Sequence, residues 1–234
     1  MRKNNSIKTF RLIPERIECL SCGGKLRLDY TNRRTVVTLA GTMTMLVSIA
    51  RCHRRGCRLE LKPYHPESEG LFALPKRAFG LDVVLAVGSE YERRRRLLGR
   101  RCWSARQIQA DLRHVKTLIS LRTTYNAIQD FDALSKCRFD EEARKVVKRQ
   151  GCISLTYHAV YHRAWPSDRI AGLHLIEDTI SQRVLVSEFC EECSVGRHDM
   201  HFSELYSVIE SKSPVRLPAY TFTNASFDGK GLSP

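Results

Sequence analysis

Two short cysteine pairs carry the clearest chemistry in this chain: Cys19-Leu20-Ser21-Cys22, followed by Gly23-Gly24-Lys25, and Cys52-His53-Arg54-Arg55-Gly56-Cys57. A Cys-x2-Cys turn points two thiolates at one tetrahedral ion, and a second pair completes four ligands. The glycines suit the tight backbone of such a knuckle, where positive φ and close approach are needed. The expected ion is a structural Zn²⁺ held by Cys19, Cys22, Cys52 and Cys57. The alternative, four incidental buried thiols, leaves the paired spacing unexplained. His53 is a competing ligand by type, but it reads as a surface residue.

The stretch between the pairs must bring them together. Val37, Leu39, Met43, Met45 and Val47 stand at alternate positions on either side of Ala40-Gly41, the pattern of a β-hairpin. Two knuckles on a hairpin make a zinc ribbon, placed at residues 15–62 after a basic lead-in at 1–14. Pro63-Tyr64-His65-Pro66-Glu67-Ser68-Glu69-Gly70 is rich in breakers, and 63–78 reads as a linker.

Charge divides the chain. Residues 1–150 hold 32 Lys+Arg against 15 Asp+Glu, and residues 151–234 hold 7 against 10. So lopsided a basic excess points to a polyanion, and duplex DNA is the expected partner. No run of 18 apolar residues occurs, so no membrane span is expected. The odd number of cysteines, the knuckle spacing and the lack of an apolar signal-peptide core read as reduced thiols in a cytoplasmic protein.

Residues 79–136 turn helical. Leu81, Val84, Leu85, Gly88 and Tyr91 share one face of a first helix, which ends in Arg93-Arg94-Arg95-Arg96 near Gly99. Ser104-Ala105-Arg106-Gln107 has the form of a capping box opening a short second helix that stops near His114. Ser120 is an N-cap residue for a third, with Thr124, Ile128 and Phe131 inward and Arg122, Asn126 and Gln129 outward. Two short helices joined by a brief turn read as a helix-turn-helix, whose last helix enters the major groove by its N-terminal part. The DNA-contacting residues expected are Arg122, Thr123 and Asn126 for bases or phosphates, and Arg93, Arg94, Arg95 and Arg96 for phosphates. Residues 137–150 form a charged, basic helical linker.

After Gly151 the texture changes to strands: Ile153 to Val160, Gly172 to Glu177, and Arg183 to Glu188, with Asp178-Thr179-Ile180-Ser181 as a turn. A helix from about His201 to Ser211 and a further strand follow. The fold class is α+β and multidomain: a zinc-ribbon hairpin, a three-helix helix-turn-helix domain, and an incomplete RNase H-like α/β domain at 151–234. Cys190-Glu191-Glu192-Cys193 with His198 and His201 offers a second set of four ligands, but with no second paired knuckle.

This order of parts resembles transposases of bacterial and archaeal insertion sequences with an RNase H-like core of the DDE type. The likeness rests on Cys19-x2-Cys22-Gly23-Gly24, the Cys52–Cys57 pair, Ser120-Leu121-Arg122-Thr123, and Leu173-His174-Leu175-Ile176-Glu177-Asp178 followed by Ser181-Gln182-Arg183-Val184-Leu185. It implies a carboxylate triad holding two Mg²⁺ ions for phosphodiester transfer. The first carboxylate is expected in a stretch like Ile-x-Leu-x-x-Asp-Gly-Val, and here Ile153-Ser154-Leu155-Thr156-Tyr157-His158-Ala159-Val160 puts His158 in its place. Asp228 is the second candidate, and no later helix follows to carry the third. The resemblance therefore implies a truncated, inactive copy that recognises element ends, with a full-length transposase or a second copy as partner and a sheet left with an uncovered face. The alternative is a DNA-binding regulator built from the same modules, with no enzymatic role.

Overall fold

A computed structural model describes residues 8–98, 105–114, 119–163, 170–191, 198–215, 217 and 221–222. It is mixed α+β, with two four-stranded sheets. The first sheet holds β1 (Lys8–Leu12), β2 (Arg27–Thr38), β3 (Gly41–Arg51) and the short β4 (Pro63–Tyr64). β2 and β3 form the long antiparallel hairpin, β1 runs parallel to β3 on its other side, and β4 pairs with the end of β3.

The hairpin turn is centred on Leu39-Ala40, one residue earlier than the sequence pattern placed it, because Thr38 pairs with Gly41. The Thr38 hydroxyl closes it by donating to the Gly41 carbonyl at 2.8 Å. Since side chains alternate faces, Val36 rather than Val37 then stands opposite Met43. Val36, Met45, Val47 and Ile49 pack with Leu12 and Phe72, while Val37 and Leu39 turn to another core.

The 63–78 stretch is not a solvated spacer. It forms β4 and a single helical turn, α1 (Glu69–Phe72), and buries Tyr64, Leu71, Phe72 and Ala73. Breaker residues marked its turns correctly, but its apolar residues are anchored in the body of the molecule.

α2 (Leu81–Leu98) is the axis of the structure. Apart from Asp82 its first turns are apolar, as suits a helix buried on most sides: Leu81, Val83, Val84, Leu85 and Val87 share one core with Ile108 and Leu112 of α3 (Ala105–His114) and Ala127, Phe131 and Leu134 of α4 (Leu121–Ser135). Gly88 permits the α2–α4 crossing, since a Cβ there would come within 1.9 Å of the Phe131 ring. Asp82 ties the start of α2 to the hairpin tip by accepting from the Leu39 amide at 2.8 Å.

The second sheet has the order β7-β6-β5-β8. β5 (Leu155–Arg163), β6 (Ile170–Asp178) and β7 (Arg183–Cys190) are antiparallel neighbours, and β8 (Thr221–Phe222) runs parallel to β5. Between β7 and β8 the chain forms α6 (His198–Lys212). Neither face of this sheet is left uncovered, contrary to expectation. Val160, Leu173 and Leu175 pack against the α2–α4 core. Leu155, Tyr157, Ala159 and Ile176 pack against α5 (Glu141–Gln150) and α6. One apolar core thus runs across both the 79–136 and 151–234 segments. No helix of the described residues is long and apolar enough to cross a membrane.

Candidate metal centre and nucleic-acid face

The two knuckles converge. The Sγ atoms of Cys19 and Cys57 are 3.6 Å apart, those of Cys22 and Cys52 also 3.6 Å, and all four lie within 4.8 Å of one another. Four sulfurs about 2.3 Å from a central ion form a tetrahedron with edges of roughly 3.8 Å. The four cysteines are free thiols, so the arrangement is a ligand set rather than a pair of disulfides.

Backbone hydrogen bonds build each knuckle. The Gly23 amide donates to the Cys19 carbonyl and the Cys19 amide to the Gly24 carbonyl, each at 2.8 Å. Gly23 at φ +66° and Gly56 at φ +75° occupy the left-handed region that glycine enters without strain. A Cβ at Gly24 would meet the Cys22 sulfur at 3.3 Å. In the second knuckle the Cys57 amide donates to the Arg54 carbonyl, and the Leu59 amide points at the Cys57 sulfur at 3.4 Å. His53 is exposed.

Tyr64, placed by β4, reaches Cys19 with its hydroxyl at 3.3 Å from the sulfur and accepts from the Leu20 amide at 3.3 Å. The sequence pattern did not single it out, because it lies in the breaker-rich stretch. Burial pushes the Cys19 thiol up, but hydrogen bonds with Tyr64 and with the backbone of Ser21 and Cys22 outweigh it and bring it down to about 6. Burial pushes the Cys52 thiol up to about 12. A bound cation replaces such thiol protons, so affinity in a set like this is pH-dependent.

The helical residues divide. Ser120 caps α4, its hydroxyl accepting from the Thr123 amide at 3.0 Å. Thr123 spends its own hydroxyl on Ser120 at 2.9 Å, so it belongs to the cap. Gln109 of α3 donates to the Ile119 carbonyl at 2.7 Å and ties the two helices together. Arg122 and Gln129 are exposed, Asn126 is half-buried, and the exposed Tyr125 joins them. Tyr125 was legible as the residue three after Arg122 on one helical face. Ser104, expected to cap α3, lies outside the described residues.

Each arginine of the α2 run meets a carboxylate. Arg93 pairs with Glu90 at 2.7 Å, Arg95 with Glu92 at 2.9 Å, and Arg96 with Glu92 at 3.3 Å and Glu191 at 3.0 Å. Arg94, only 12% exposed, pairs with Glu90 and with Asp111 of α3. It pins α2 to α3, whereas Arg95 and Arg96 are each 58% exposed.

In the second sheet the polar groups are turned inward. His158 is fully buried, with its Nε2 3.3 Å from the Glu177 carboxylate. Asp178, also fully buried, accepts from the Ser154 amide at 2.9 Å, the Gln150 amide at 2.8 Å, and the Ser181 amide and hydroxyl at 3.1 and 2.6 Å. It organises the β6–β7 turn. Asp228 lies outside the described residues. Cys190 is disulfide-bonded, which departs from the expectation of reduced thiols and removes it from the alternative ligand set with His198 and His201, and Cys193 lies outside the described residues. His201 instead meets Glu188 at 3.1 Å and gathers with Glu188 and Glu204.

No family model matches this chain, and no curated protein matches it.

Proposed function

We propose that this chain is a zinc-dependent protein that binds duplex DNA, related in its order of parts to insertion-sequence transposases, and that it does not cut DNA by itself. On this reading Cys19, Cys22, Cys52 and Cys57 hold one structural Zn²⁺, and α3 and α4 act as a helix-turn-helix. The second sheet then corresponds to the opening of an RNase H-like core.

The observation that carries the reading is the outer face of α4. Its N-terminal half is capped by Ser120 and tied to α3 by Gln109, so the backbone that would enter a groove is fixed. From Leu121 to Gln129 it contains no acidic residue, and the next one, Asp130, is turned aside into an ion pair with Arg77. Arg122 and Tyr125 stand outward there. An Arg side chain suits guanine and the DNA backbone. Arg95 and Arg96 add phosphate contacts at the exposed end of α2.

The binding-without-cutting part has its own support. Two-metal chemistry needs anionic oxygens open to both ions. His158 stands where the resemblance asks for the first carboxylate, and it lies buried against Glu177. Asp178 has its oxygens occupied by four donors, two from Ser181 in its own turn and one each from Gln150 and Ser154.

Fluorescence anisotropy with labelled duplexes tests the binding. Affinity is expected to fall linearly in log salt, by about 0.9 in slope per phosphate contact. Affinity that stays flat from low to moderate salt overturns the reading. A nicking and strand-transfer assay in Mg²⁺ or Mn²⁺ tests the rest: cleavage abolished by Asp228→Ala, or by an Asp178→Asn variant that still melts as wild type does, means the carboxylates do catalyse.

A further inference from the structure

The second knuckle does more than carry ligands. It docks on the end of α5. The Arg58 guanidinium donates through Nε and Nη2 to the carbonyls of Lys148 and Arg149, at 2.9–3.2 Å. These are C-terminal carbonyls with no partner inside the helix. Gly151 ends α5 in the left-handed region at φ +72°, and a Cβ there would come within 2.0 Å of Arg58 Nη1. Glycine is therefore required twice, for its φ and for the room it leaves the guanidinium.

Beside this contact lies a cleft of about 350 Å³, lined by the cations Arg58, Lys62 and Arg149 together with the apolar Leu59, Val146 and Ile180. None of its walls is acidic. Its two other polar wall residues, Gln150 and Ser181, direct donors to Asp178 and bring no negative charge. Among the described residues no carboxylate pairs with these cations, whereas Arg93 and Arg94 of α2 meet Glu90. Among the described residues Arg149 directs its Nε to the Lys145 carbonyl at 3.4 Å, and Arg58 serves only carbonyls. Three like charges around one small volume repel one another, and an anion between them relieves that repulsion. Arg58 is held in place before any ligand arrives, so it loses little freedom on binding.

We propose that this cleft is a phosphate-binding site that takes a backbone phosphate of bound DNA, separate from the contacts of α4. The proposal rests on the DNA-binding reading for the source of the phosphate, though not for the binding of phosphate itself. It makes the junction of the first knuckle-bearing sheet and α5 a second point of attachment to the nucleic acid.

The test uses the full chain loaded with zinc. Inorganic phosphate is titrated while the backbone amides of Gly151 and Ser181 are followed by NMR. Saturable shifts at both are expected, and they should vanish in Lys62→Ala/Arg149→Ala. Both of those residues are exposed, so the double variant should melt at the wild-type temperature. Lys62→Arg/Arg149→Lys should bind phosphate as wild type does. In duplex binding, the double alanine variant should lower the log–log salt slope by about 0.9 for the one lost phosphate, equally for every DNA sequence. Absence of the phosphate shifts overturns the site. Shifts that disappear in the double alanine variant while its DNA salt slope stays unchanged overturn DNA as the source and assign the cleft to a small phosphorylated molecule. If the wild-type chain binds no duplex but keeps the phosphate shifts, the DNA reading fails and the phosphate site stands alone.

Discussion

The four-cysteine cluster and the Asp178 turn are both polar, both at least partly buried, and only a short distance apart in the fold: Ile180, two residues after Asp178, packs in the same small core as Cys19 and Cys52. They are built on opposite principles. At Asp178 each carboxylate oxygen is met by donors, Oδ1 by the Ser154 amide and Oδ2 by Gln150 and Ser181, so the group is closed. At the cysteines the sulfurs mostly face one another, four poor hydrogen-bonding partners arranged around a common centre. A closed group stabilises the fold; an open one waits for something the chain does not supply. The same contrast separates Arg93 and Arg94, which meet Glu90, from Arg122 on α4 and from the Arg58–Lys62–Arg149 cleft.

The largest expected effect breaks the open side. Cys19→Ser with Cys57→Ser, or a strong chelator, should unfold the ribbon, because apparent zinc-binding energies in such units are on the order of 10–16 kcal/mol. Metal analysis of purified wild type should give one equivalent of zinc. Less than half an equivalent, or a double variant as stable as wild type, ends the structural-zinc reading.

On the closed side, Asp178→Ala should destabilise by about 3 kcal/mol or more, since buried donors left without acceptors cost roughly 1–3 kcal/mol each. Urea unfolding measures it. A variant near wild-type stability would mean that the turn does not depend on the carboxylate.

Asp82 is an intermediate case, closed by backbone amides yet pushed up to about 6 by burial. A raised carboxyl binds its proton more tightly in the folded chain than in the unfolded one. Its contribution to stability is therefore complete below about pH 4 and is lost as pH rises to about 6. The difference in unfolding free energy between wild type and Asp82→Asn should drift by about 3 kcal/mol across that window. A flat difference would place the carboxyl at its ordinary value.

The smallest effects separate specificity from affinity. Arg122→Ala should relax base preference by about 1–3 kcal/mol at one position. Arg95→Ala with Arg96→Ala should weaken all duplexes alike and reduce the salt slope. If Arg122→Ala also weakens all sequences equally, Arg122 contacts phosphate and not a base.

What the sequence determined was local. Cysteine spacing with adjacent glycines identified the ligand set, because a knuckle is closed by hydrogen bonds within a few residues. Ser120 announced the start of α4 for the same reason, and the strand-like runs after Gly151 announced β5 to β7. The tertiary structure decided what depends on partners distant in the chain. Whether Arg94 is a DNA contact or an interhelical pin depends on Asp111, seventeen residues away. Whether the second sheet has an uncovered face depends on α2 and α4, whose apolar positions do not say which surface they will meet. Tyr64 near the metal centre, Arg58 on the end of α5 and the need for Gly151 beneath it are long-range facts of the same kind. A side chain's type fixes what it can bond to, and only the folded chain fixes which partner arrives.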